Sequence, residues 1–400
     1  MAEKKKSKWI KTRHKIVVPF LRELFRPIAV WMYHVKIEKF KAENGRQYLI
    51  LANHQTGFDQ FFPSFAFKQH IYYVASEDIF SMGWLSKLIQ WIAEPIPIKK
   101  QVTDIRAVMN CMKVAKEGGS IAIFPEGNRT FSGETIYMNP AVAGLAKKLG
   151  MPIAFFKIEG GYGVQPRWSD VRRKGKMRAY VASVLEPEEY KSWTNEQLYA
   201  HICKELYQNE ANSQESYYHE KSAEYLERVL YVCPYCGITH FESCGDTVTC
   251  TTCGRQAKYL PTKEFSGDFP FRYMLDWYTY QENYINELDT VVLIETPIIE
   301  DVCNLYKVNL YSKKEPIAEQ VKLALYGDRI EMSGGFTKVF SFDKMETTTI
   351  LGKNKLNVYY EDMVYQIQGS KRFNAIKYLN LYHRYRNLTT EVQNGRFLGL

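Results

Sequence analysis

Three groups of residues in this 400-residue chain have types and spacings able to do chemistry. The first is Asn53-His54-Gln55-Thr56-Gly57-Phe58-Asp59, a histidine five residues ahead of an aspartate. Imidazole takes a proton from a hydroxyl near neutral pH, and a carboxylate on its other nitrogen fixes tautomer and ring orientation. On a regular helix the two residues would sit about 140° apart, so they pair only on an irregular turn. Gly57 between them permits one. The spacing alone is unspecific, because a purely structural His–Asp pair satisfies it as well.

The second group, Ile121-Ala122-Ile123-Phe124-Pro125-Glu126-Gly127-Asn128-Arg129-Thr130, reads as a buried strand followed by a polar turn. Arg129, beside Gly127, is placed to bind a phosphate on a strand-end loop where backbone amides help. Glu126 is suited to orient that arginine or to meet a substrate hydroxyl. The third group is Cys233-Pro234-Tyr235-Cys236-Gly237 and Cys250-Thr251-Thr252-Cys253-Gly254, with thirteen residues between the pairs. Each pair puts two thiolates on one tight turn, and a hairpin between them brings four sulfurs to a tetrahedral ion. The expected cofactor is therefore a structural Zn2+, since four sulfur ligands leave no open position for catalysis. A glutaredoxin-type reading of Cys-Pro-Tyr-Cys lacks a strand–helix setting. His240 and Cys244 are expected to be loop residues.

The elements that must position these groups follow from pattern. From 35 to 185 short apolar runs (Tyr48–Ala52, Ile71–Ala75, Ile96–Ile98, Ile121–Phe124, Ile153–Ile158, Met177–Val184) alternate with helical spacing at Phe61–Phe67, Leu85–Ala93, Asp104–Lys116 and Pro140–Leu149. Such alternation predicts an α/β domain with a largely parallel sheet. Thr194 and Gln197 predict a capping box for a helix to about Glu210, and a second helix is expected over Ser216–Leu230. A further helix is expected over Phe271–Leu288, then short strands at Val321–Tyr326, Arg329–Met332, Val339–Phe342, Leu356–Tyr360 and Val364–Gln368, and a closing helix at Phe373–Tyr385.

The first and second groups together resemble the glycerolipid acyltransferase family, specifically its bacterial 1-acyl-sn-glycerol-3-phosphate acyltransferases. Four ordered blocks carry the resemblance: Asn53-His54 through Asp59; Ile96-Pro97-Ile98-Lys99-Lys100; Phe124 through Thr130; and Met151-Pro152-Ile153. Lys100 stands where the family has arginine, and Asn128 where it has a small hydroxyl residue. The resemblance implies that His54 is the general base on a lysophospholipid hydroxyl and that Asp59 supports it. It implies that Lys100, Glu126, Gly127 and Arg129 bind the phosphate and glycerol, and that the donor is acyl-CoA or an acyl carrier protein. The expected product is phosphatidate. Another lysolipid acceptor, or a non-catalytic membrane-docking protein, are the alternatives. The aromatic run Phe58, Phe61, Phe62, Phe65 and Phe67 suits an acyl groove or plain core. The last strands and helix resemble a PH-like or GRAM-like domain, which implies docking to lipid or protein.

Composition sets the outer limits. A chain 46% hydrophobic and 24% charged is globular and not disordered. No eighteen-residue stretch lacks charge, which excludes an ordinary transmembrane helix. Eight cysteines, four of them in two close pairs, suit a reducing compartment better than a disulfide framework. The net charge of +9 is concentrated at the start, where Lys4, Lys5, Lys6, Lys8, Lys11, Arg13 and Lys15 oppose only Glu3. Basic and apolar residues from Trp9 to about Tyr33 predict an amphipathic helix or helix pair, broken near Pro27, that suits a bilayer interface rich in anionic lipid. No basic, aromatic-rich face marks the cysteine segment, so nucleic acid is not an expected partner. The expected organisation is amphipathic helices 1–34, acyltransferase domain 35–190, helical linker 191–231, zinc ribbon 232–260, helical connector 261–290 and PH/GRAM-like β domain 291–400. The expected location is cytoplasmic, peripheral on the inner face of the cell membrane.

Overall fold

The computed structural model describes residues 8–43, 45–76, 79–80, 83–98, 104–309 and 313–389. Lys100, Lys4, Lys5 and Lys6 lie outside them. The chain divides into two compact units, one of Met1–Arg129, Thr135–Gly161 and Lys176–Gln208, the other of Thr130–Glu134, Tyr162–Gly175 and Asn209–Leu400.

In the first unit the strands are β1 (Val35–Ile37), β2 (Leu49–Ala52), β3 (Ile71–Ser76), β4 (Ile96–Ile98), β5 (Ser120–Ile123), β6 (Ile153–Glu159) and β7 (Met177–Leu185). They form one sheet in the order β1-β7-β6-β2-β5-β3-β4. Every pairing is parallel except β6 with β7. The largely parallel α/β sheet expected from the alternating pattern is therefore present. The central strand β2 is the uninterrupted apolar run Leu49-Ile50-Leu51-Ala52, buried at all four positions, as a strand covered on both faces must be. Leu49 pairs with Ile121 of β5 on one side and Ile153 of β6 on the other.

The helices of this unit are α1 (Thr12–Tyr33), α2 (Phe61–Ala66), α3 (Trp84–Ala93), α4 (Ile105–Lys116) and α5 (Ala141–Leu149); after the turn of helix α6 (Gly161–Val164), which belongs to the second unit from Tyr162 on, come α7 (Pro187–Tyr190) and α8 (Asn195–Leu206). Their ends obey local chemistry. Asp104 caps α4 by accepting from the amides of Arg106 and Ala107. Thr194 and Gln197 form the reciprocal box expected at the start of α8.

α1 departs from expectation in one respect. It is a single helix that runs through both Pro19 and Pro27 and stops only at His34, in the left-handed region. Each proline removes one intrahelical bond, but side chains tie the helix to the unit beneath it. Arg22 donates to the carbonyls of Phe67 and Lys68, and Arg13 donates to that of Trp91. Ala29 and Tyr33 are buried at the far end. Among the described residues, no helix is long and apolar enough to cross a membrane.

The second unit holds the hairpin of β8 (Val232–Cys233) and β9 (Gly237–Ile238), and an antiparallel sheet β10 (Phe241–Cys244), β11 (Thr247–Cys250), β12 (Gln256–Tyr259) and β13 (Phe265–Gly267). After α9 (Met274–Glu287) come β14 (Ile299–Val308), β15 (Glu315–Leu325), β16 (Arg329–Ser333), β17 (Lys338–Ser341), β18 (Met345–Leu351), β19 (Lys355–Tyr360) and β20 (Met363–Gly369), then α10 (Ile376–Thr389). These seven strands make one curled antiparallel sheet in the order β17-β16-β15-β14-β20-β19-β18, a half-barrel.

The helix expected over Ser216–Leu230 does not form. The segment is turns and one short 3-10 turn, Leu226–Arg228, with Tyr225 at φ +76°. Its backbone bonds go elsewhere: the Tyr217 amide to the Pro261 carbonyl, and the Ala223 amide to that of Gly245. Ala223, Leu226, Val229 and Leu230 still bury their apolar side chains, so the periodicity reported burial and not helix. Trp277 of α9 anchors this core, fully buried, with Nε1 donating to the Val232 carbonyl at 2.9 Å and the Phe269 ring 4.5 Å from its own. Trp277→Ala is expected to cost about 3–5 kcal/mol, read as a lower midpoint in urea denaturation.

Candidate active site

β2 and β5 are parallel neighbours, so their carboxyl ends deliver two loops to one edge of the sheet. In an open α/β sheet that edge is where ligands bind. The loop after β2 carries Asn53 through Asp59, and the loop after β5 carries Phe124 through Arg129.

His54 and Asp59 are paired. Nδ1 of His54 lies 2.8 Å from Oδ2 of Asp59, with the carboxylate fully buried and the imidazole about one-fifth exposed. The irregular turn that brings them together is built by the carboxylate. Oδ2 also accepts from the amides of Gln55 (2.5 Å) and Thr56 (2.9 Å), and Oδ1 accepts from the Thr56 hydroxyl (2.5 Å). Thr56 Oγ1 in turn accepts from the Phe58 amide. Gly57 is not in the left-handed region, and a methyl group there would make an ordinary contact, 3.7 Å from Nη1 of Arg129, so neither backbone angle nor crowding demands glycine. Donation from Nδ1 to Asp59 leaves Nε2 as the basic nitrogen of His54. The ring leans on Phe124, 4.6 Å between centroids.

Glu126 joins the two loops. Its Oε1 accepts from the His54 amide at 2.7 Å and its Oε2 from the Ile136 amide at 3.1 Å. The glutamate expected to meet Arg129 or a substrate hydroxyl thus has both oxygens engaged by backbone. Burial pushes its carboxyl up to about 8, with the two amides opposing and the Asp59 charge adding to the rise. The turn that presents it is closed by the Gly127 amide on the Phe124 carbonyl, and Gly127 continues at φ +64°. Arg129 is partly buried beside the pair. Burial presses its guanidinium downward while the Asp59 carboxylate draws it up, and it remains a cation.

Gly161 and Gln208 carry no signal of their own in the sequence, and the motif that includes Asn53 gives no role for it. Asn53 is buried and bridges to β6, donating to the Ile158 carbonyl at 2.9 Å and accepting from the Ile158 amide at 2.8 Å; it also donates to Gln208. Gly161 backs the His54 turn so closely that a Cβ there would meet Gln55 Oε1 at 2.7 Å and Thr56 Cγ2 at 3.0 Å. Of the aromatic run, Phe62, Phe65 and Phe67 are core. Phe58 and Phe61 are not: they lie 4.2 Å apart, with Tyr33 stacked on Phe58 at 5.4 Å. Lys100, expected among the phosphate contacts, is outside the described residues.

In the second unit the Sγ atoms of Cys233, Cys236, Cys250 and Cys253 all lie within 4.8 Å of one another. Cys233 and Cys253 are 3.9 Å apart. None of the cysteines is disulfide-bonded. Sulfurs on a tetrahedral ion at about 2.3 Å stand about 3.8 Å apart, so the donor set fits Zn2+. Gly237 and Gly254, each directly after a pair, turn the knuckles in the left-handed region.

Residues 34–157 match the family model described as Acyltransferase, a span that holds both loops and under a third of the chain. The domain that carries the His54–Asp59 pair is, by that match, an acyltransferase domain. Among solved structures, the chain is similar to the crystal structure of 1-acyl-sn-glycerophosphate (LPA) acyltransferase, PlsC, from Thermotoga maritima, at 19% identity and a TM-score of 0.41. That similarity covers 49% of this chain and 80% of the other. No curated protein matches the chain.

The position of Glu126 has a pH consequence. Its folded-state pKa is raised, so between about 4.5 and 8 the folded chain holds a proton that the unfolded chain has released, and stability falls as pH rises through that window. Glu126→Gln removes this dependence. The melting temperature of the variant relative to the parent is expected to rise steadily from pH 5 to pH 8; a difference that is flat with pH would show the carboxylate to be ionised in the fold.

Proposed function

We propose that the chain transfers an acyl group from an acyl thioester, acyl-CoA or acyl carrier protein, to the free hydroxyl of a lysophospholipid. The acceptor proposed is 1-acyl-sn-glycerol-3-phosphate and the product phosphatidate. One observation carries the reading: a His54–Asp59 pair at the end of β2 with the Arg129 cation beside it, inside the segment that matches the acyltransferase model. Nε2 of His54 takes the proton of the acceptor hydroxyl. The oxygen attacks the thioester carbonyl, and the tetrahedral oxyanion collapses with loss of the thiolate, which receives the proton back from His54. Asp59 holds the imidazole and balances its charge in the interval. Arg129, with Gly127 on the same turn and Lys100, binds the acceptor's phosphate, while Glu126 holds the His54 backbone in place.

The expected outcome is transfer of labelled acyl from acyl-CoA or acyl carrier protein to lysophosphatidate, and a loss of at least about a thousandfold in His54→Ala. Equal rates in parent and variant would sink the reading. Transfer to a zwitterionic lysolipid in preference to lysophosphatidate would move the acceptor and keep the chemistry. No transfer to any acceptor, with lipid binding retained, would favour a membrane-docking protein.

We also propose that the four cysteines hold one structural Zn2+ ion per chain and that β14–β20 with α10 form a PH-like or GRAM-like docking domain, which the strand order and the closing helix support. We place the enzyme peripherally on the inner face of the cell membrane through residues 1–34. Metal analysis of the purified protein is expected to give about one zinc per chain, lost in Cys233→Ser with a lower melting temperature. Metal-free protein of unchanged stability would remove the ion.

A further inference from the structure

A helix that packs on its own domain turns its apolar face inward and its charges outward. α1 does the reverse. Two of its three arginines point in, Arg13 to the Trp91 carbonyl and Arg22 to the carbonyls after α2, and both make polar contacts with the unit. Its large apolar residues point out: Phe20 is 69% exposed, Trp31 77% and Leu24 about half. Solvent contact of this kind along one helix is unfavourable unless another apolar medium covers it.

α3 repeats the arrangement. Trp84, Leu88 and Trp91 fall at i, i+4 and i+7, one stripe of the helix, and Trp84 is 75% exposed. α3 is joined to the start of α1. The Arg13 guanidinium lies over the Trp91 ring at 5.7 Å, and Glu94, directly after α3, takes Lys11 at 2.5 Å and Arg13 at 3.5 Å. Charge identifies the occupant. Of the six lysines and arginines in residues 8–34, Lys11 and Arg13 are met by Glu94, while Lys8 and Lys15, with Lys87 of α3, are exposed and Glu23 is the one acid among those residues. Exposed tryptophans on an apolar stripe within a cationic surround suit the headgroup level of a bilayer that contains anionic lipid.

We infer that α1 and α3 together form a bilayer-seating surface, with Trp84, Leu88 and Trp91 of α3 as a second lipid contact beside the N-terminal helix. The surface leads towards the chemistry. Tyr33, the last residue of α1, stacks on Phe58, which stacks on Phe61, and Phe58 belongs to the turn that carries His54. A lipid acceptor meets His54 along this aromatic ledge with its chain still among lipids. That purpose rests on the acyl-transfer reading; the lipid contact itself does not.

The test is flotation of the full chain with phosphatidylcholine vesicles, with and without phosphatidylglycerol, for the parent and for a Trp84→Ser, Trp91→Ser double variant. The parent is expected to float with the anionic vesicles, and the double variant to partition about tenfold less with an unchanged melting temperature. Transfer to a short-chain acceptor dissolved below its micelle concentration is expected to be the same in both. Because flotation needs no turnover, absence of transfer in both proteins counts against the acyl-transfer reading alone. Equal flotation of parent and double variant overturns the inference. So does a parent that is a dimer in solution and becomes monomeric in the double variant, which would make a second copy the occupant.

Discussion

The buried carboxylate of Asp59 is the interaction on which the candidate site depends. It receives four donors: the His54 ring, the amides of Gln55 and Thr56, and the Thr56 hydroxyl. A fully buried carboxylate costs several kcal/mol in lost hydration unless its lone pairs are filled. Filling them here requires the backbone to fold around the group within five residues. The same bonds that satisfy the charge therefore create the turn, and the turn points the imidazole. Glu126 extends the constraint to the neighbouring loop by fixing the His54 amide, and Asn53 extends it to β6. The basic nitrogen of His54 is held by backbone and buried polar bonds, not by surface side chains, the kind of preorganisation that spares a site reorganisation during reaction.

Six of the seven strands of the first unit were legible as short apolar runs; β1, three residues with Lys36 at the centre, was not. Helix ends were legible where a side chain caps them, as at Asp104 and Thr194. His54, Asp59, Glu126 and Arg129 were legible as a set because loops at the ends of parallel strands carry few reasons for polar residues other than chemistry. The turn's construction was not. Spacing suggested that Gly57 bends the chain, whereas the bend comes from carboxylate–amide bonds and Gly57 keeps an ordinary backbone conformation. The roles of Asn53, Gly161 and Gln208 were invisible for a related reason. Their effect lies in what they touch across 100 or more residues, and a single sequence carries no record of such contacts.

The second unit was harder to read because tertiary bonds override local preference there. Ala223, Leu226, Val229 and Leu230 are spaced as on a helix, yet the Ala223 amide is taken by the Gly245 carbonyl and the other three close only local turns. β14 was not anticipated as a strand because Glu300, Asp301 and Asn304 interrupt its apolar alternation. Asp301 is nevertheless tolerated in the sheet, since Lys377 and Tyr378 of α10 both bond its Oδ2 at 2.6 Å. An ion pair of that kind is paid for by burial on both sides and fixes α10 against one strand in one register.

The cysteine cluster answers a different physical need. β8 and β9 have two residues each, and a two-stranded hairpin of that size does not hold itself together in water. Packing buries only one cysteine of each knuckle: Cys233 and Cys250 lie in the core around Trp277, and Cys236 and Cys253 at its margin. Four thiolates converging from two turns supply closure where packing cannot, provided an ion neutralises them; without one, sulfurs this close have only weak hydrogen bonds to offer each other. The knuckle glycines serve the same end, because a left-handed residue directly after each pair reverses the chain quickly enough to aim both sulfurs at one point. On this argument an ion held by the four proposed zinc ligands would serve the folding of the second unit.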